Sequence, residues 1–590
     1  MKRDTKQNIF FLLVKNAIEC TPILFFIALI LNIVRGCSIG IQTLFMQSFF
    51  EAAEKLTLNQ QSIIGVLQTL VALGIAYIVN QLINGFGAFL PNIIGYKLSW
   101  GLQSKINKKL QKIPSIEFEN NSIFELINQT EEGIKAAQVF IQSTAFAITM
   151  YLAYFLYMTW YLFTLNPILV FSILIISIPS IFTQWIKSTL YSDLEDDSAK
   201  YRRHLNYYSA CVGSKETCKE TRTLGANSFF IDLFVSTLKM FNKKYWQTHR
   251  KAGFYEALTK LVSVIGYGVI IFLLYRSVVS GFITVGAFAA VFSSIDGMFN
   301  RMNQLVMTHM GTMAVNYRKM DSIFQLLSMQ EDIPRCGKVI KDKMIHIKEV
   351  SFCYPNASSN ALNNINALIN PNETIAIVGE NGSGKTTLVK LLMGIFTPVS
   401  GEILYNEINI NDGETSKPQL PISAVFQKFQ KYEMSLLENI AISNSIIKPK
   451  ITEVEQCLER VDISSNLCIF TDGLNTMLSK EFGSIDLSGG LWQRIAIARG
   501  IYRDHSVIVL DEPTAAIDPI EETKLFNKFA EICKHSTAII VTHRLGSVKL
   551  ADRIFVMRKG EIIAQGTHNE LLRKCTYYED MWNAQAQWYV

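Results

Sequence analysis

Charge is scarce in this chain. Asp, Glu, Lys and Arg make up 18% of its 590 residues, against about 25% in a typical soluble domain. With hydrophobic residues at 49% and a mean hydropathy of +0.21, a wholly water-soluble protein is excluded, and much of the chain must sit in lipid. A strong excess of one sign is lacking too: 56 basic and 50 acidic residues leave a net charge of +6. Membrane topology explains that balance, and it points to no nucleic-acid partner. The ten cysteines include no CxxC pair and no His/Cys spacing of a zinc site. They read as small buried apolar residues, reduced in a cytosol-facing protein. No A-x-A cleavage site follows the first apolar run, which is too long for a secretory signal, so it is read as retained.

What is present falls into two architectures, since 590 residues exceed one core. Apolar runs cover Thr21 to Phe49, Ser62 to Leu90, Val139 to Phe163, Ile168 to Ile186, Leu261 to Val279 and Phe282 to Leu305. Each is near or above the roughly 20 residues that cross a bilayer as a helix, which predicts six spans. They belong to a membrane domain over 1–328. A polar linker over 329–342 holds Pro334 and Gly337, and a mixed pattern of strands and helices fills 343–590. The loops after the second and fourth runs carry the lysines and arginines, from Lys97 to Lys135 and from Lys187 to Lys260, whereas the other side has Lys55 and Arg276. The positive-inside bias places both termini in the cytoplasm. Gln7 to Glu19 reads as a short interfacial helix. The two long basic loops have mixed charge and apolar spacing, so the spanning helices are expected to continue well past the headgroups.

The chemistry lies in the second half. Thr374 to Val378 is a short apolar strand pattern that runs into Gly379-Glu380-Asn381-Gly382-Ser383-Gly384-Lys385-Thr386, followed by a helical stretch from Thr387 to Met393. This is GxxxxGK[ST] between strand and helix, where glycines let backbone N–H groups point at phosphate oxygens. Lys385 is expected to reach the β/γ-phosphates and Thr386 to ligate Mg²⁺. A second strand pattern, Val507 to Leu510, ends in Asp511 and Glu512. Ligands of parallel sheets sit at strand C-terminal ends, so Asp511 can face the metal and Glu512 can polarise an attacking water. An acidic cap on the next turn is the plainer alternative. A third strand, Ala538 to Thr542, ends in His543, a candidate contact to the γ-phosphate.

Upstream of Asp511 stands Leu487-Ser488-Gly489-Gly490-Leu491, opening a helical stretch from Trp492 to Gly500. Physically it is a second anion site at a helix N-terminus, or an ordinary serine N-cap. Phosphate loop, LSGG and the Asp511-Glu512 strand, in that order after six spans, resemble an ATP-binding cassette exporter half-transporter along essentially the whole chain. The fold implied is a helical six-span transmembrane domain followed by an α/β P-loop nucleotide-binding domain.

That resemblance implies further roles. ATP would be bound by Gly379, Glu380, Asn381, Gly382, Ser383, Gly384, Lys385, Thr386 and Thr387, with Tyr354 stacked on adenine. Gln427 would sense Mg²⁺ and the γ-phosphate, so Thr386, Gln427 and Asp511 surround the metal and Glu512, His543 and Gln427 the reaction. Ser488, Gly489 and Gly490 would close over the phosphate loop of a second copy, with Asp518 coupling the two sites and Glu481 at the place of an acidic residue touching the membrane domain. Leu491 departs from the family's common glutamine. The implied working unit is a homodimer in the bacterial plasma membrane. It would be driven by ATP through alternating access, with coupling extensions near Glu117 to Asn128 and Cys211 to Arg222.

For substrate, Leu491-Trp492-Gln493, Gln430-Lys431-Tyr432-Glu433, Pro513 to Asp518 and Cys575-Thr576-Tyr577-Tyr578 resemble nisin-type lantibiotic exporters. Such proteins export ribosomal peptides with the leader attached; here no N-terminal peptidase precedes the first span, and peptide-modifying enzymes are further expected partners. A lipid or multidrug exporter has the same engine, and a nucleotide-gated channel or scaffold that does not pump is the remaining class, against which Glu512 speaks. Within the spans, Arg35, Asp296 and Arg301 are candidates for substrate contact, with an Asp296–Arg301 structural pair as the alternative. Tyr151, Tyr154, Phe155, Met158 and Tyr161 form a stripe at helical spacing that reads as helix packing before a peptide-binding wall.

Overall fold

The computed structural model describes residues 9–58, 60, 62–215, 217–340, 344–413, 415–444, 448–464, 468–479, 487–512, 528, 536–542, 548–549 and 551–587. The chain forms two compact units. One comprises Met1–Gln111 and Glu125–Met329; the other comprises Lys112–Phe124 and Gln330–Val590.

The first unit is helical. Helix α1 (Ile9–Cys20) buries Ile9, Leu13 and Ala17, one residue per turn along a single face. Pro22 then opens α2 (Pro22–Thr57), a position where its missing N–H costs nothing. There follow α3 (Ile63–Leu110), α4 (Asn121–Val139), α5 (Phe146–Leu165), α6 (Phe171–Gly213), the short α7 (Cys218–Thr223), α8 (Asn227–Val279), α9 (Val285–Asn303) and α10 (Gly311–Leu327). Helix α3 has 48 residues and α8 has 53, at 1.5 Å each far longer than a bilayer core requires.

Five helical segments among the described residues are apolar and long enough to cross a membrane: Pro22–Thr57, Ile63–Leu110, Asn121–Leu165, Pro167–Tyr191 and Asn227–Val279. The last expected run is also helical, as α9, which continues through a π turn at Gln304–Met310 into α10. Asp296, Asn300, Arg301 and Gln304 lower its hydropathy. The tyrosine stripe of α5 packs inward: Tyr151, Tyr154, Phe155, Met158 and Tyr161 are buried against Ile270, Leu274, Ile295 and Met298. Lipid supplies no hydrophobic drive between helices, so close approach of small residues matters. At Gly36 an added Cβ would lie 2.2 Å from the Met150 carbonyl oxygen.

The second unit is built on two sheets. An antiparallel sheet of order β2-β1-β4-β5 contains β1 (Ile345–Phe352), β2 (Leu362–Ile369), β4 (Ser400–Tyr405) and β5 (Ile408–Asn409). The other has the order β10-β9-β3-β8-β7-β6, from β3 (Thr374–Gly379), β6 (Ile422–Val425), β7 (Val507–Asp511), β8 (Thr537–Val541), β9 (Arg553–Arg558) and β10 (Glu561–Gly566). It is parallel from β9 to β6, with β10 returning antiparallel. Every residue of β7 and β8 is buried, as expected for central parallel strands covered on both faces. Helix α11 (Lys385–Leu392) follows β3. Helices α12 (Leu436–Ala441), α13 (Ile451–Arg460) and α14 (Gly489–Tyr502) share a second core around Leu458, Trp492 and Ile495. The segment 112–124, from the loop between the second and third apolar runs, joins this unit: Ile116 packs on the core that contains Leu391, Leu392 and Phe396.

Candidate functional site

The loop between β3 and α11 turns where its glycines permit it. Gly384 caps α11 at φ 101°, in the left-handed region, and an added Cβ would meet Leu362 Cδ2 at 2.7 Å and the Ala361 carbonyl oxygen at 2.8 Å. From there Lys385 folds back, and its Nζ donates to the carbonyls of Gly379 at 2.8 Å and Glu380 at 2.9 Å. An ammonium has three donors, so one remains to aim at a ligand. Burial lowers the Lys385 pKa, and the nearby Glu512 and Asp511 carboxylates oppose that shift. Ser383 Oγ is buried with no hydrogen-bond partner among the described residues. An orphaned hydroxyl in a phosphate loop is what a site awaiting a polar ligand shows.

Strand β7 brings the acidic pair. Asp511 is buried, which raises its pKa; the Glu512 carboxylate adds to the rise, while a hydrogen bond from Thr386 and the charges of Lys385 and Lys390 oppose it. Glu512 stands just past the strand at φ 47°, uncommon for a non-glycine residue, with its N–H bound to the Val541 carbonyl at 2.9 Å. Its carboxylate accepts a hydrogen bond from Gln427 Nε2.

These groups share a cavity of about 580 Å³. Asn381, Gly382, Gly384, Lys385, Thr386 and Thr387 line it from the loop and helix, Gln427 and Glu512 from beyond β6 and β7, and Tyr354 and Ala361 from either side of the turn before β2. The Tyr354 hydroxyl is 3.1 Å from Thr387 Oγ1, and its ring stands edge-on to Phe352 and Phe396. Ala361 carries no signal in the sequence; its carbonyl oxygen lies against Gly384 and leaves no space there for a side chain. Lys390, also not anticipated, acts on Asp511 from the next turn of α11.

Ser488, Gly489 and Gly490 do not line this cavity. Ser488 caps α14, its Oγ accepting from the Leu491 N–H at 3.3 Å, while Leu491 packs on the core of α12 to α14. His543, Asp518 and Glu481 lie outside the described residues. No cluster of three or more His, Cys, Asp and Glu side chains that could hold a metal occurs among the described residues. The Thr386 hydroxyl and Asp511 carboxylate, already hydrogen-bonded, with the Gln427 amide on the same cavity, nonetheless fit Mg²⁺, which is commonly bound by few protein oxygens together with nucleotide phosphates.

Comparison with known proteins agrees with this geometry. Residues 25–302 match the family model of the ABC transporter transmembrane region and residues 362–515 that of the ABC transporter. The subtilin transport ATP-binding protein SpaT of Bacillus subtilis is 30% identical over 545 residues, 89% of this chain and 86% of its own length. The nisin transport ATP-binding protein NisT of Lactococcus lactis subsp. lactis is 26% identical, over 88% of each chain. An ATP-dependent lipid A-core flippase of Nitrosococcus oceani is 28% identical over 62% of this chain and 61% of its own. A bacterial Atm1-family ABC exporter with ATP bound shares the fold at a TM-score of 0.80 and 19% identity, covering 95% of this chain and 99% of that one. With a membrane region followed by an ATPase domain along one chain, the protein belongs to the ABC transporter family, as an exporter half-transporter that couples hydrolysis of ATP, with Mg²⁺, to transport.

Proposed function

We propose that two copies of this chain form a homodimer in the bacterial plasma membrane, with all termini cytoplasmic, and export a ribosomally made, lantibiotic-like peptide by alternating access. The observation that supports the dimer is the separation within one chain: Lys385, Thr386, Gln427 and Glu512 share a cavity from which Ser488, Gly489 and Gly490 are absent. One copy thus offers both halves of a site without closing either, and a two-fold pair would supply each half from a different protomer.

In this reading Tyr354 stacks on adenine, and the N–H groups from Gly379 to Thr387 hold the phosphates. Lys385 neutralises charge between the β- and γ-phosphates, and Thr386, Asp511 and Gln427 hold Mg²⁺. The metal supplies Lewis-acid stabilisation of the phosphate charge. Glu512 orients and polarises a water for in-line attack, with Gln427 fixing its carboxylate; His543 contacts the γ-phosphate and Asp518 couples the two sites. Six spans surround the path, α9 being the sixth, with its polar positions turned to the tunnel. Binding of ATP favours one facing of the tunnel, and hydrolysis returns the other.

The peptide rests on the similarity to transporters named for subtilin and nisin, and on the local matches around Leu491, Gln430 and Cys575. A lipid exporter with the same engine is the second reading, favoured by the similarity to lipid A-core flippases. Proteoliposomes containing the purified chain separate the two. ATP-dependent movement of a lantibiotic precursor peptide, with ATPase stimulation, is expected; stimulation by lipid A and none by peptide would replace the first reading by the second. A stable, ATPase-active monomer in detergent would refute the dimer.

A further inference from the structure

We propose that Arg35 and Arg301 form a binding site for a carboxylate of the exported peptide, inside the bundle of spanning helices. The proposal rests on the peptide reading above and names the group that is recognised.

Four helices meet at one level. Gly36, next to Arg35 on α2, packs on α5, where an added Cβ would lie 2.2 Å from the Met150 carbonyl oxygen and 3.0 Å from the Tyr154 nitrogen. Opposite Arg35 on α3 stands Gly87, where a Cβ would come within 3.1 Å of Arg35 Cδ. The guanidinium of Arg301 on α9 lies 4.8 Å from the centre of the Tyr154 ring. One turn away on each helix, Tyr151 donates its hydroxyl to Gln304 Oε1 at 2.7 Å. Arg35, beside Gly36, and Arg301, over the Tyr154 ring, thus both flank the turn of α5 from Met150 to Tyr154.

Neither cation is neutralised there. Among the described residues no ion pair involves Arg35 or Arg301, and Arg35 Nε is buried without a hydrogen-bond partner. The alternative Asp296–Arg301 pair does not form: Asp296 instead accepts from Asn300 Nδ2 at 3.0 Å. Of the two carboxylates α2 carries toward its far end, Glu51, the nearer, accepts from Gln47 Nε2 and Thr284 Oγ1, both at 2.7 Å. Guanidinium groups stay charged at any physiological pH, and ionisable groups at membrane depth normally pair or line a polar cavity. Two arginines without an acid, one with an unmet N–H, therefore leave a place for an anion. The planar donor fork matches a carboxylate bidentately. The neighbouring tyrosine rings and the Gln304 amide give the mixed aromatic and hydrogen-bonding wall that suits a peptide side chain more than the acyl-bearing phosphate of a lipid.

The test uses the full chain in nanodiscs and a fluorescein-labelled peptide of alternating leucine and glutamate, with a glutamine-for-glutamate counterpart, read by fluorescence polarisation. The acidic peptide is expected to bind at least tenfold more tightly than the neutral one. Arg35→Gln and Arg301→Gln each should remove most of that difference, and Arg35→Lys should keep part of it, while size-exclusion profiles stay unchanged. If Arg35→Gln fails to fold, Arg301→Gln and Arg35→Lys carry the test. Equal binding of both peptides, or a difference that survives in the glutamine variants, overturns the site and leaves peptide export standing. Failure of both peptides to bind, with Arg-dependent binding of lipid A, overturns the site together with the peptide reading. Loss of the dimer in either variant assigns the guanidiniums to the contact between copies and overturns it as well.

Discussion

Glu119 and Lys390, 271 positions apart in sequence, meet at 2.9 Å. The same ammonium lies 4.9 Å from the centre of the Phe396 ring, which stacks on Phe352 and meets the edge of Tyr354 at the cavity wall. A loop from between two membrane runs is thus tied to the helix that carries Lys385. Both side chains are partly exposed, at 38% and 25%, so the pair should contribute less than about 1 kcal/mol to stability. We expect Glu119→Gln and Lys390→Met to leave the melting temperature nearly unchanged. Each should reduce peptide stimulation of the ATPase by about two- to fivefold, a coupling of that size. A double-mutant cycle on stimulated and basal rates checks it; additive losses would deny the pair any coupling role.

Glu512 is held by its backbone bond to Val541 and by Gln427 against its carboxylate. Glu512→Gln keeps size and backbone preference but removes the charge proposed above to polarise water. Hydrolysis should fall by on the order of 10² to 10³-fold, with ATP retained in the site. A turnover assay and a filter-binding measurement of trapped nucleotide read the two effects. Unchanged turnover refutes the assignment.

How much of this was legible beforehand depends on the range of the interactions. The strand–loop–helix around Lys385 and the two central strands ending in Asp511 and before His543 announce themselves locally, because parallel strands covered on both faces must be continuously apolar. The stripe from Tyr151 to Tyr161 is likewise a local pattern, and it packs inward as read. Ala361 could not be found, since its place at the cavity, with its carbonyl against Gly384, exists only once β2 and β3 are placed. The union of 112–124 with the second unit is expected only through the resemblance, as a coupling extension near Glu117 to Asn128; the contacts that make it, such as Glu119 with Lys390 271 positions away, have no local signature. The polar positions of α9 dilute the hydropathy on which a span is recognised, so that helix is the least evident of the six expected. The positive φ of Glu512 has no sequence signature, because glutamate does not favour that region.

The Asp511 carboxyl titrates above its ordinary value, first because it is buried and then because Glu512 lies beside it. An acid with a raised pKa in the folded state is stabilising when protonated. That contribution is present at low pH and is lost as pH rises from 3.8 through the folded value. Asp511→Asn should remove the loss. At pH 7 and without nucleotide the variant should melt a few degrees higher than the parent, and the gap should narrow toward pH 4. Mg²⁺-dependent hydrolysis should fall at the same time. Thermal unfolding at the two pH values is the measurement; a variant less stable at pH 7 would show that the Thr386 hydrogen bond and Lys385 outweigh burial.

Leu491 follows directly on Ser488-Gly489-Gly490, and the structure gives it a packing role. Its side chain rests on the core shared by Leu458, Trp492 and Ile495, while its backbone N–H, which any residue supplies, completes the Ser488 cap. Leu491→Gln would place an amide against apolar neighbours and should cost about 1 to 2 kcal/mol. The melting temperature should drop while the KM for ATP stays within about twofold, since Leu491 lies off the cavity around Lys385. Leu491→Met, which conserves volume and apolar character, should restore the melting temperature. If glutamine instead changes the KM for ATP and leaves stability alone, the side chain acts on nucleotide held by the partner copy. Position 491 would then be a matter of catalysis, not of packing.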